Sequence, residues 1–265
     1  MPVDEAGPVV KSVAKAATVL RILEEHAGTQ GLSLTDIARR MSMSKSSTFA
    51  LLQTLASFGI VAVDPVGAAN RTYRLGLELV RLGHRAAAQT SVADIALPEL
   101  TSLSESTRLT ARIAVLDGGW AVAVGRVDPP DAVRLDLRLG EREWPHRSGL
   151  GKALMSRLPE AEVRAILART GMPSNTSATF TDPDAFIAAL AEARRLGFAI
   201  DDEEDAEGIV CIAAPILSAD DRPLAAVSVT GLKVGLLAEN QQLVGERVRS
   251  CAQQIESLLR PVPLS

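Results

Sequence analysis

Residues 33–55 read SLTDIARRMSMSKSSTFALLQTL, and this stretch decides the fold of the N-terminal part of the chain. A capping-box pattern that begins at Ser33 predicts a short helix with its apolar side chains on one face. Ser44 ends a three-residue break and caps a second helix over residues 45–58, which Gly59 terminates. Two short helices joined by so short a turn are typical of a helix-turn-helix.

The sequence on either side of this pair completes a small domain. Apolar residues recur at helical spacing over residues 12–26, where Ser12 is placed to cap a first helix. After the pair, residues 60–63 predict a strand, residues 64–67 a loop and residues 72–75 a returning strand. A β-hairpin that follows three helices predicts a winged helix-turn-helix.

The second helix of the pair has one side for the core and one for a partner. On a helical wheel the core side carries Thr48, Leu51, Leu52 and Leu55. The opposite side is predicted to enter the major groove of duplex DNA, as recognition helices do. The predicted DNA contacts are Ser44, Lys45, Ser46, Ser47, Phe49, Ala50 and Gln53 on the helix, with Arg71 and Arg74 on the hairpin. Two alternatives stay open: the winged helix could serve protein contacts only, and the two arginines could simply be solvated.

The composition is that of a folded globular protein, and its charge is divided unevenly. Of 265 residues, 47% are hydrophobic and 23% charged, which excludes a disordered or fibrous chain, and the length favours two domains. Residues 1–90 hold ten Lys/Arg against seven Asp/Glu, whereas residues 91–265 hold eighteen against twenty-five. The positive balance of the first part favours a polyanionic partner there. Aromatic residues, at 3%, are too few for a surface that stacks single-stranded bases.

Several classes of protein are excluded by patterns that the sequence lacks. No apolar run approaches the ~20 residues of a membrane-spanning helix, and Asp4 and Glu5 stand where a signal peptide needs cations. We therefore expect a cytoplasmic protein without a membrane partner. The two cysteines and three histidines are too scattered for a disulfide framework or a zinc cluster, so no metal and no cofactor are predicted. Cys251 is expected to be a buried apolar residue.

The remainder of the chain predicts a rigid connecting helix and a larger second domain. The connecting helix covers residues 77–89. Beyond it the pattern predicts strands at 111–116, 120–127, 133–139, 208–217 and 224–230, and helices at 98–106, 152–158, 160–170, 183–196 and 238–259. Hairpin-linked strands mixed with helices indicate an antiparallel α+β domain. The predicted domains are residues 10–76 for the winged helix-turn-helix, 77–90 for the linker helix and 91–260 for a ligand-binding domain.

Gly149 and Gly151 precede a helix that the sequence places near Lys152. Free N–H groups and the positive end of the helix would converge there, which suits a carboxylate. A nucleotide phosphate loop is rejected, because Ala153 stands in place of Ser/Thr and His146 in place of the leading glycine. The alternative is a glycine turn that only allows the helix to pack against a strand.

Two apolar strands carry polar side chains. Cys211 lies in one of them, and Ser228 and Thr230 share one face of the next. Buried hydroxyls without partners cost ~1–3 kcal/mol each, so a bound polar ligand or water is a natural partner. Alternatively, the hydroxyls bond neighbouring strands, and Asp201 caps a turn in an acidic run, residues 201–205, that is expected to be a solvated loop.

An enzyme would need an activated nucleophile, and Cys211 with His146 is the one pair to consider. The sequence contains none of the patterns GxSxG, HExxH or SxxK, and a thiol in an apolar strand is usually unreactive. We therefore predict that the protein is not an enzyme.

Motifs in both halves of the chain resemble the IclR family of bacterial transcriptional regulators. In the first half they are Ser12-Val13 with Ala17, and residues 34–38 (LTDIA), 44–55 (SKSSTFALLQTL) and 73–76 (YRLG). In the second half they are residues 149–154 (GLGKAL) and a pattern of Gly197, Asp201, Glu204 and the run from Cys211 to Ile216. The resemblance covers residues from about 10 to 260. The family commonly has arginine where this chain has Ala50.

The resemblance implies a ligand-responsive transcription factor, with an N-terminal winged helix and a C-terminal GAF-like effector domain. It implies an effector pocket for a small organic acid, built from Gly149, Leu150, Asp201, Cys211, Ser228 and Thr230. It also implies repression at a palindromic double-stranded DNA operator by a homodimer or homotetramer. The alternative function is a DNA-binding regulator or adaptor that acts through protein contacts and has no small-molecule ligand.

Overall fold

The structure is a computed structural model that describes residues 10–26, 31–66, 70–89, 92–129, 137–235 and 238–259. The chain divides into two compact units, Met1–Gln89 and Thr90–Ser265. Within the described ranges, no helix has both the length and the hydropathy needed to cross a membrane. The same residues contain no cluster of His, Cys, Asp and Glu that could hold a metal ion.

The first unit is a winged helix-turn-helix, as predicted. Its elements are α1 (Lys11–Glu24), β1 (Leu32–Ser33), α2 (Leu34–Arg40), α3 (Lys45–Ser57), β2 (Val61–Val66), β3 (Asn70–Leu75) and α4 (Glu78–Gln89). The strands form one antiparallel sheet in the order β1-β3-β2. The hairpin strands are longer than predicted: residues 64–66 of the predicted loop belong to β2, and its last residue, 67, lies outside the described part of the chain.

Side-chain caps set the starts of α2 and α3. The Ser33 hydroxyl accepts a hydrogen bond from the Asp36 N–H at 3.2 Å, and the Ser44 hydroxyl accepts one from the Ser47 N–H at 3.2 Å. The connection between these helices has four residues rather than the predicted three, because α2 ends at Arg40. The predicted cap at Ser12 is wrong: α1 begins one residue before it and has no side-chain cap.

The core of the first unit is formed by apolar side chains from all its layers. They are Val19, Leu23, Ile37, Leu52, Leu55, Val61 and Tyr73. Gly76 follows the hairpin and lies against the backbone of Gly59. A Cβ on Gly76 would lie 2.0 Å from the Gly59 carbonyl oxygen. Only glycine permits this approach of two backbone segments, which explains the last residue of the YRLG motif.

The second unit is an antiparallel sheet with helices on both faces, which confirms the mixed α+β class. Its elements are α5 (Val92–Thr107), β4 (Thr110–Asp117), β5 (Trp120–Val127), β6 (Arg142–Glu143), α6 (Gly149–Met155), α7 (Glu160–Thr170), α8 (Pro183–Leu196), β7 (Ala199–Asp202), β8 (Ile209–Leu217), β9 (Pro223–Leu232) and α9 (Ala238–Leu259). The strand order is β6-β5-β4-β9-β8-β7, and every neighbouring pair is antiparallel.

The two faces of this sheet have different coverings. Helices α5 and α9 pack on one face over the largest apolar cluster, which includes Ile113, Ile212 and Val227. Helix α6 packs on the other face over a cluster made mostly of alanines, which includes Ala114 and Ala213. Small side chains on that face let α6 lie close to the strands. The polar residues of β4, β8 and β9, namely Arg112, Cys211, Ser228 and Thr230, lie on the same face, because strand pairing places Arg112 and Ala213 on either side of Ser228.

Several elements differ from the sequence prediction. The short strands β1, β6 and β7 were not predicted, because two to four residues give too little periodicity. Most of the predicted strand at 133–139 falls on residues 130–136, outside the described part, while Leu137–Gly140 lies in an irregular segment and a turn. The acidic run 201–205 is not a solvated loop: its first two residues belong to β7, and Asp201 and Glu204 are buried.

Candidate functional site

The outer face of α3 carries the predicted DNA contacts. Ser44, Lys45, Ser46, Ser47, Phe49, Ala50 and Gln53 are all exposed. On the inner face, Thr48 and Leu52 are fully buried. Phe49 is a large apolar side chain that is 40% exposed, which suits contact with a base edge or a thymine methyl group. The amphipathic pattern of the sequence therefore corresponds to the orientation of the helix in the structure.

The N-terminus of α3 is compact and polar. The Ser44 hydroxyl donates to the Ser47 hydroxyl at 2.9 Å and lies 3.1 Å from the Ser46 hydroxyl. Lys45 is exposed beside them, and no salt bridge between described residues includes it. A helix N-terminus with a lysine is an arrangement that binds phosphate. The arrangement is compatible with a DNA backbone contact at this point.

The two hairpin arginines differ in their surroundings. Arg71 is exposed on β3. The Arg74 Nε lies 2.7 Å from an Asp64 carboxylate oxygen on the neighbouring strand. The hydrogen bond from Arg74 to Asp64, and then the charge of that carboxylate, raise the pKa of Arg74. A DNA phosphate would therefore compete with Asp64 for Arg74, which makes Arg71 the more available of the two.

A cavity of about 270 Å³ opens on the α6 face of the second unit. Its lining brings together four of the six predicted effector contacts, namely Gly149, Asp201, Cys211 and Thr230. Thr230 lies directly opposite Cys211 in the register of β8 and β9, and Asp201 lies opposite Cys211 on the other side. Three separate strands thus place polar groups around one small space.

The other two predicted contacts lie beside the cavity rather than in its lining. Leu150 is fully buried in the alanine-rich cluster under α6. Ser228 is also fully buried, and its hydroxyl has no hydrogen-bond partner among the described residues. The unpartnered hydroxyl that the sequence suggested therefore exists, but Ser228 is not among the residues that line the cavity.

Gly149 and Gly151 are required by packing. A Cβ on Gly149 would lie 2.9 Å from the Cys211 Sγ, and one on Gly151 would lie 2.5 Å from the Pro145 carbonyl oxygen. Helix α6 begins at Gly149 and not near Lys152. The Gly151 N–H is bonded to the Ser148 hydroxyl at 3.0 Å, so this amide is not free for a ligand. Packing therefore requires both glycines, and a carboxylate cradle at this turn, where Gly149 lines the cavity, stays a prediction.

Asp201 both lines the cavity and organises the turn after β7. One of its carboxylate oxygens accepts hydrogen bonds from the N–H groups of Glu204, at 2.8 Å, and Asp205, at 3.2 Å. Burial raises the pKa of Asp201 to about 7; the charge of Lys152 opposes this shift and that of Glu204 adds to it. Near neutral pH, Asp201 can therefore exist as an acid that donates a hydrogen bond or as a carboxylate that accepts one.

Lys152 is a buried cation that sequence analysis did not recognise. Its Nζ donates to the Ile200 carbonyl oxygen and to the Glu204 carboxylate, and lies 5.6 Å from the centre of the Phe180 ring. Burial raises the pKa of Glu204, and the Lys152 charge and hydrogen bond act against this shift. The lysine of the GLGKAL motif thus joins α6 to the loop that carries Asp201.

The cysteine and histidine considered for an enzyme do not form a reactive pair. Burial raises the pKa of the Cys211 thiol, so it stays protonated at neutral pH. The His146 Nε2 lies 3.2 Å from the Pro173 carbonyl oxygen, and burial lowers the pKa of this imidazole. Both residues are described in the structure, and no hydrogen bond joins their side chains. Cys251 is buried, as predicted.

Arg112 and its neighbours line the same cavity and were not predicted. Arg112 lies on β4 and bonds the carboxylate of Glu143 on β6. Trp144 packs edge-to-face on Trp120, and the Arg147 guanidinium lies 5.7 Å from the centre of the Trp144 ring. The signal that could have revealed Arg112 is a lone cation in the apolar strand ARIAV, on the same face as the small residues that contact α6.

Comparison with known proteins identifies the family. The profile "Bacterial transcriptional regulator IclR C-terminal" matches residues 84–257, and the profile "IclR helix-turn-helix domain" matches residues 12–65. The chain is 34% identical to the HTH-type transcriptional regulator XynR of Escherichia coli K12 over 85% of this chain and 87% of that protein. It is 31% identical to the HTH-type transcriptional repressor AllR of the same strain over 96% of this chain and 94% of that protein.

A solved structure shows the same fold. An IclR homologue from Microbacterium hydrocarbonoxydans, complexed with 4-hydroxybenzoate, superposes with a TM-score of 0.79 over 94% of this chain and 99% of that chain, at 24% sequence identity. The fold and both profiles define a DNA-binding transcription regulator and not an enzyme. This chain belongs to the IclR family of bacterial transcriptional regulators.

Proposed function

We propose that this regulator represses transcription from a DNA operator, and that a small organic acid bound in the cavity of the second unit modulates operator binding. The observation that carries the proposal is this cavity, because it is lined by polar groups from three strands and is separate from the α3 face. Its volume lies near the lower end of ligand pockets, ~300 Å³, which favours a small effector. The protein would act in the cytoplasm, where the chromosome is.

The proposal for DNA rests on the exposed face of α3 and on relatives of known type. AllR is a repressor, which supports the same sign of regulation here. The proposed contacts are the seven predicted residues of α3, with Arg71 and then Arg74 on the hairpin. Two-fold symmetry would match a homodimer, or a pair of dimers, to a palindromic operator.

The proposal for the effector rests on the site and on one relative. An IclR homologue that shares the fold binds 4-hydroxybenzoate. The proposed contacts here are Gly149, Asp201, Cys211 and Thr230, which line the cavity. Leu150 and Ser228 would act by supporting its wall.

The test begins with selection of the preferred duplex from a random library. Operator affinity is then measured by fluorescence anisotropy while a panel of keto, hydroxy and aromatic acids is titrated. At least one acid is expected to change operator affinity and, reciprocally, to bind more or less tightly when operator is present. An operator affinity that is high and unchanged by every acid would favour the alternative function, an adaptor that works through protein contacts. Failure to select any duplex would contradict the DNA-binding assignment of the α3 face.

A further inference from the structure

Arg112 is the most deeply buried arginine of the cavity, being 3% exposed. Its Nη1 donates to the Glu143 carboxylate, and its Nη2 lies 3.5 Å from the Thr230 hydroxyl, at the limit of a hydrogen bond. Its Nε is buried and has no partner in the described part of the chain. A guanidinium offers five N–H donors in a planar fork, so Arg112 retains unused capacity.

A buried guanidinium needs an anion beside it. Burial acts to lower the pKa of Arg112, but the nearby groups, Glu143 first, raise it above its ordinary value, so the side chain is charged. Removing the anionic partner of a buried cation leaves an uncompensated charge in an apolar setting, which is strongly unfavourable. Any ligand that enters beside Arg112 therefore either leaves Glu143 in place or supplies a carboxylate of its own.

Glu143 is held in place less firmly than Arg112. It lies on β6, a strand of two residues that, within the described part of the chain, stands at the edge of the sheet and pairs with β5 alone. Its side chain is 20% exposed, against 4% for that of Arg112. The Glu143 side chain can therefore turn toward solvent once another carboxylate takes its place, whereas Arg112, held in the middle of β4, cannot follow it.

The other charged pairs of the cavity lie farther out. Arg147 pairs with Asp205 at 2.6 Å, and Arg142 pairs with Asp117 at 3.2 Å, and each acid in these pairs is about half exposed. Among these three pairs, only the Arg112 pair adjoins Thr230 and Cys211 at the inner end of the cavity. At the start of α6, one possible carboxylate donor, the Gly151 amide, already bonds Ser148.

We propose that Arg112 is the group that binds the effector's carboxylate, and that Glu143 is an internal carboxylate that occupies Arg112 until the effector's carboxylate replaces it. This inference rests on the proposed function, because it assigns the acid's charged end within the same cavity. The site would be selective for anions, because an uncharged ligand that displaced Glu143 would leave the buried charge of Arg112 without a negative partner. It also couples binding to β6 and Trp144, which are released when Glu143 leaves.

The test is chemical rescue, which needs no knowledge of the natural effector. Glu143→Ala removes the internal carboxylate and leaves room for acetate. Thermal unfolding of full-length protein is followed in sodium acetate, in acetamide and in sodium chloride of equal ionic strength. Acetate is expected to raise the Tm of Glu143→Ala saturably, with a midpoint at least tenfold lower than in wild type. Acetamide is expected to have no such effect.

Two further variants make the test specific. The double variant Arg112→Met, Glu143→Ala is expected to lose the acetate response. Glu192→Ala removes a carboxylate from an exposed pair with Arg195 and is expected to respond to acetate as wild type does. If Glu143→Ala fails to fold, Glu143→Gln keeps the volume and is expected to show the same preference for acetate over acetamide. Equal acetate midpoints in wild type and the Glu143 variant, or an undiminished response in the double variant, would overturn the proposal.

The acid titration of operator binding separates this inference from the proposed function. If an acid alters operator binding equally in wild type and Arg112→Met, the regulator has an effector but Arg112 does not bind it. If acetate rescues Glu143→Ala while no acid alters operator binding, Arg112 is a carboxylate site and the proposed regulation is contradicted.

Discussion

The outer face of α3 and the cavity beside α6 present their charged groups in opposite ways. On α3 every predicted contact is exposed, including the cation Lys45, which lies beside serine hydroxyls. Arg112 and Asp201 line the cavity and are buried, and Lys152 is buried beside it; each is bonded to other residues of the second unit. A substitution on α3 therefore tests function with little effect on stability. A substitution in the cavity changes stability as well, so it needs an isosteric variant or a charge-compensating partner.

The strongest expected contrast between the two regions is in stability. Lys152→Met leaves Glu204 and Asp201 buried without their cation, and we expect a loss of roughly 3–5 kcal/mol of unfolding free energy. Urea titrations followed by tryptophan fluorescence measure the second unit alone, because both tryptophans, Trp120 and Trp144, lie in it.

The matched control for Lys152→Met is Arg195→Met, which removes an exposed cation and is expected to have no measurable effect. A double variant that also carries Glu204→Gln should regain part of the stability, since it removes an unpaired buried charge. A Lys152→Met protein as stable as the control would show that the buried pair contributes nothing.

The next largest effect is a pH dependence that only the buried region should show. The pKa of Asp201 is about 7 in the folded protein, against an ordinary value of 3.8. Between these values the unfolded chain releases a proton that the folded chain keeps, so stability falls as pH rises and the loss is complete above the folded pKa. The loss amounts to roughly 2–4 kcal/mol.

Asp201→Asn is expected to remove this pH dependence. The stability difference between wild type and variant should move in favour of the variant from about pH 4 to pH 8. The raised pKa of Glu204 acts in the same direction, and because the charges of Asp201 and Glu204 interact, the difference reports the titration of the pair. A difference that stays constant over this range would show that Asp201 is ionised throughout.

On the exposed face, the expected effects concern DNA alone. Gln53→Ala is expected to cost ~1–3 kcal/mol on the preferred operator and nothing on unrelated duplexes, because an amide reads base edges. Lys45→Ala should weaken all duplexes and reduce the salt slope of binding by ~1. Mobility-shift titrations at several salt concentrations measure both. The assigned face is wrong if neither variant changes operator affinity while both retain wild-type stability.

The difference between the regions also explains how far the sequence alone could reach. The α3 face lies on one helix, where spacing of three and four residues separates the buried Thr48 and Leu52 from the exposed Gln53. The helices from α7 to α9 were predicted for the same reason. Local periodicity is enough wherever a site lies on one regular element.

The cavity depends on pairings that no local pattern contains. Arg112 meets Glu143 across 31 residues, and Lys152 meets Glu204 across 52 residues. Glu143 belongs to a two-residue strand that is defined only by its neighbour, β5. The motif resemblance indicated four of the lining residues, but the buried cations that balance their charge follow from strand order. Strand order in a sheet with long connections was not predicted from the sequence.

The smallest expected effect is a difference in effector affinity between variants of two hydroxyl residues of β9, one that lines the cavity and one that does not. Thr230 lines the cavity and lies 3.5 Å from Arg112, whereas Ser228, two residues earlier on the same face, is fully buried. Thr230→Val keeps the volume and removes the hydroxyl, so an acid that modulates operator binding should bind ~10-fold more weakly, or about 1.4 kcal/mol. Ser228→Ala removes a hydroxyl that has no partner among the described residues, so we expect unchanged acid affinity and equal or slightly greater stability. Calorimetry with the same acid on both variants makes the comparison. If Ser228→Ala weakens the acid and Thr230→Val does not, the acid contacts Ser228 instead of Thr230, and the lining assigned to the cavity is wrong for the bound state.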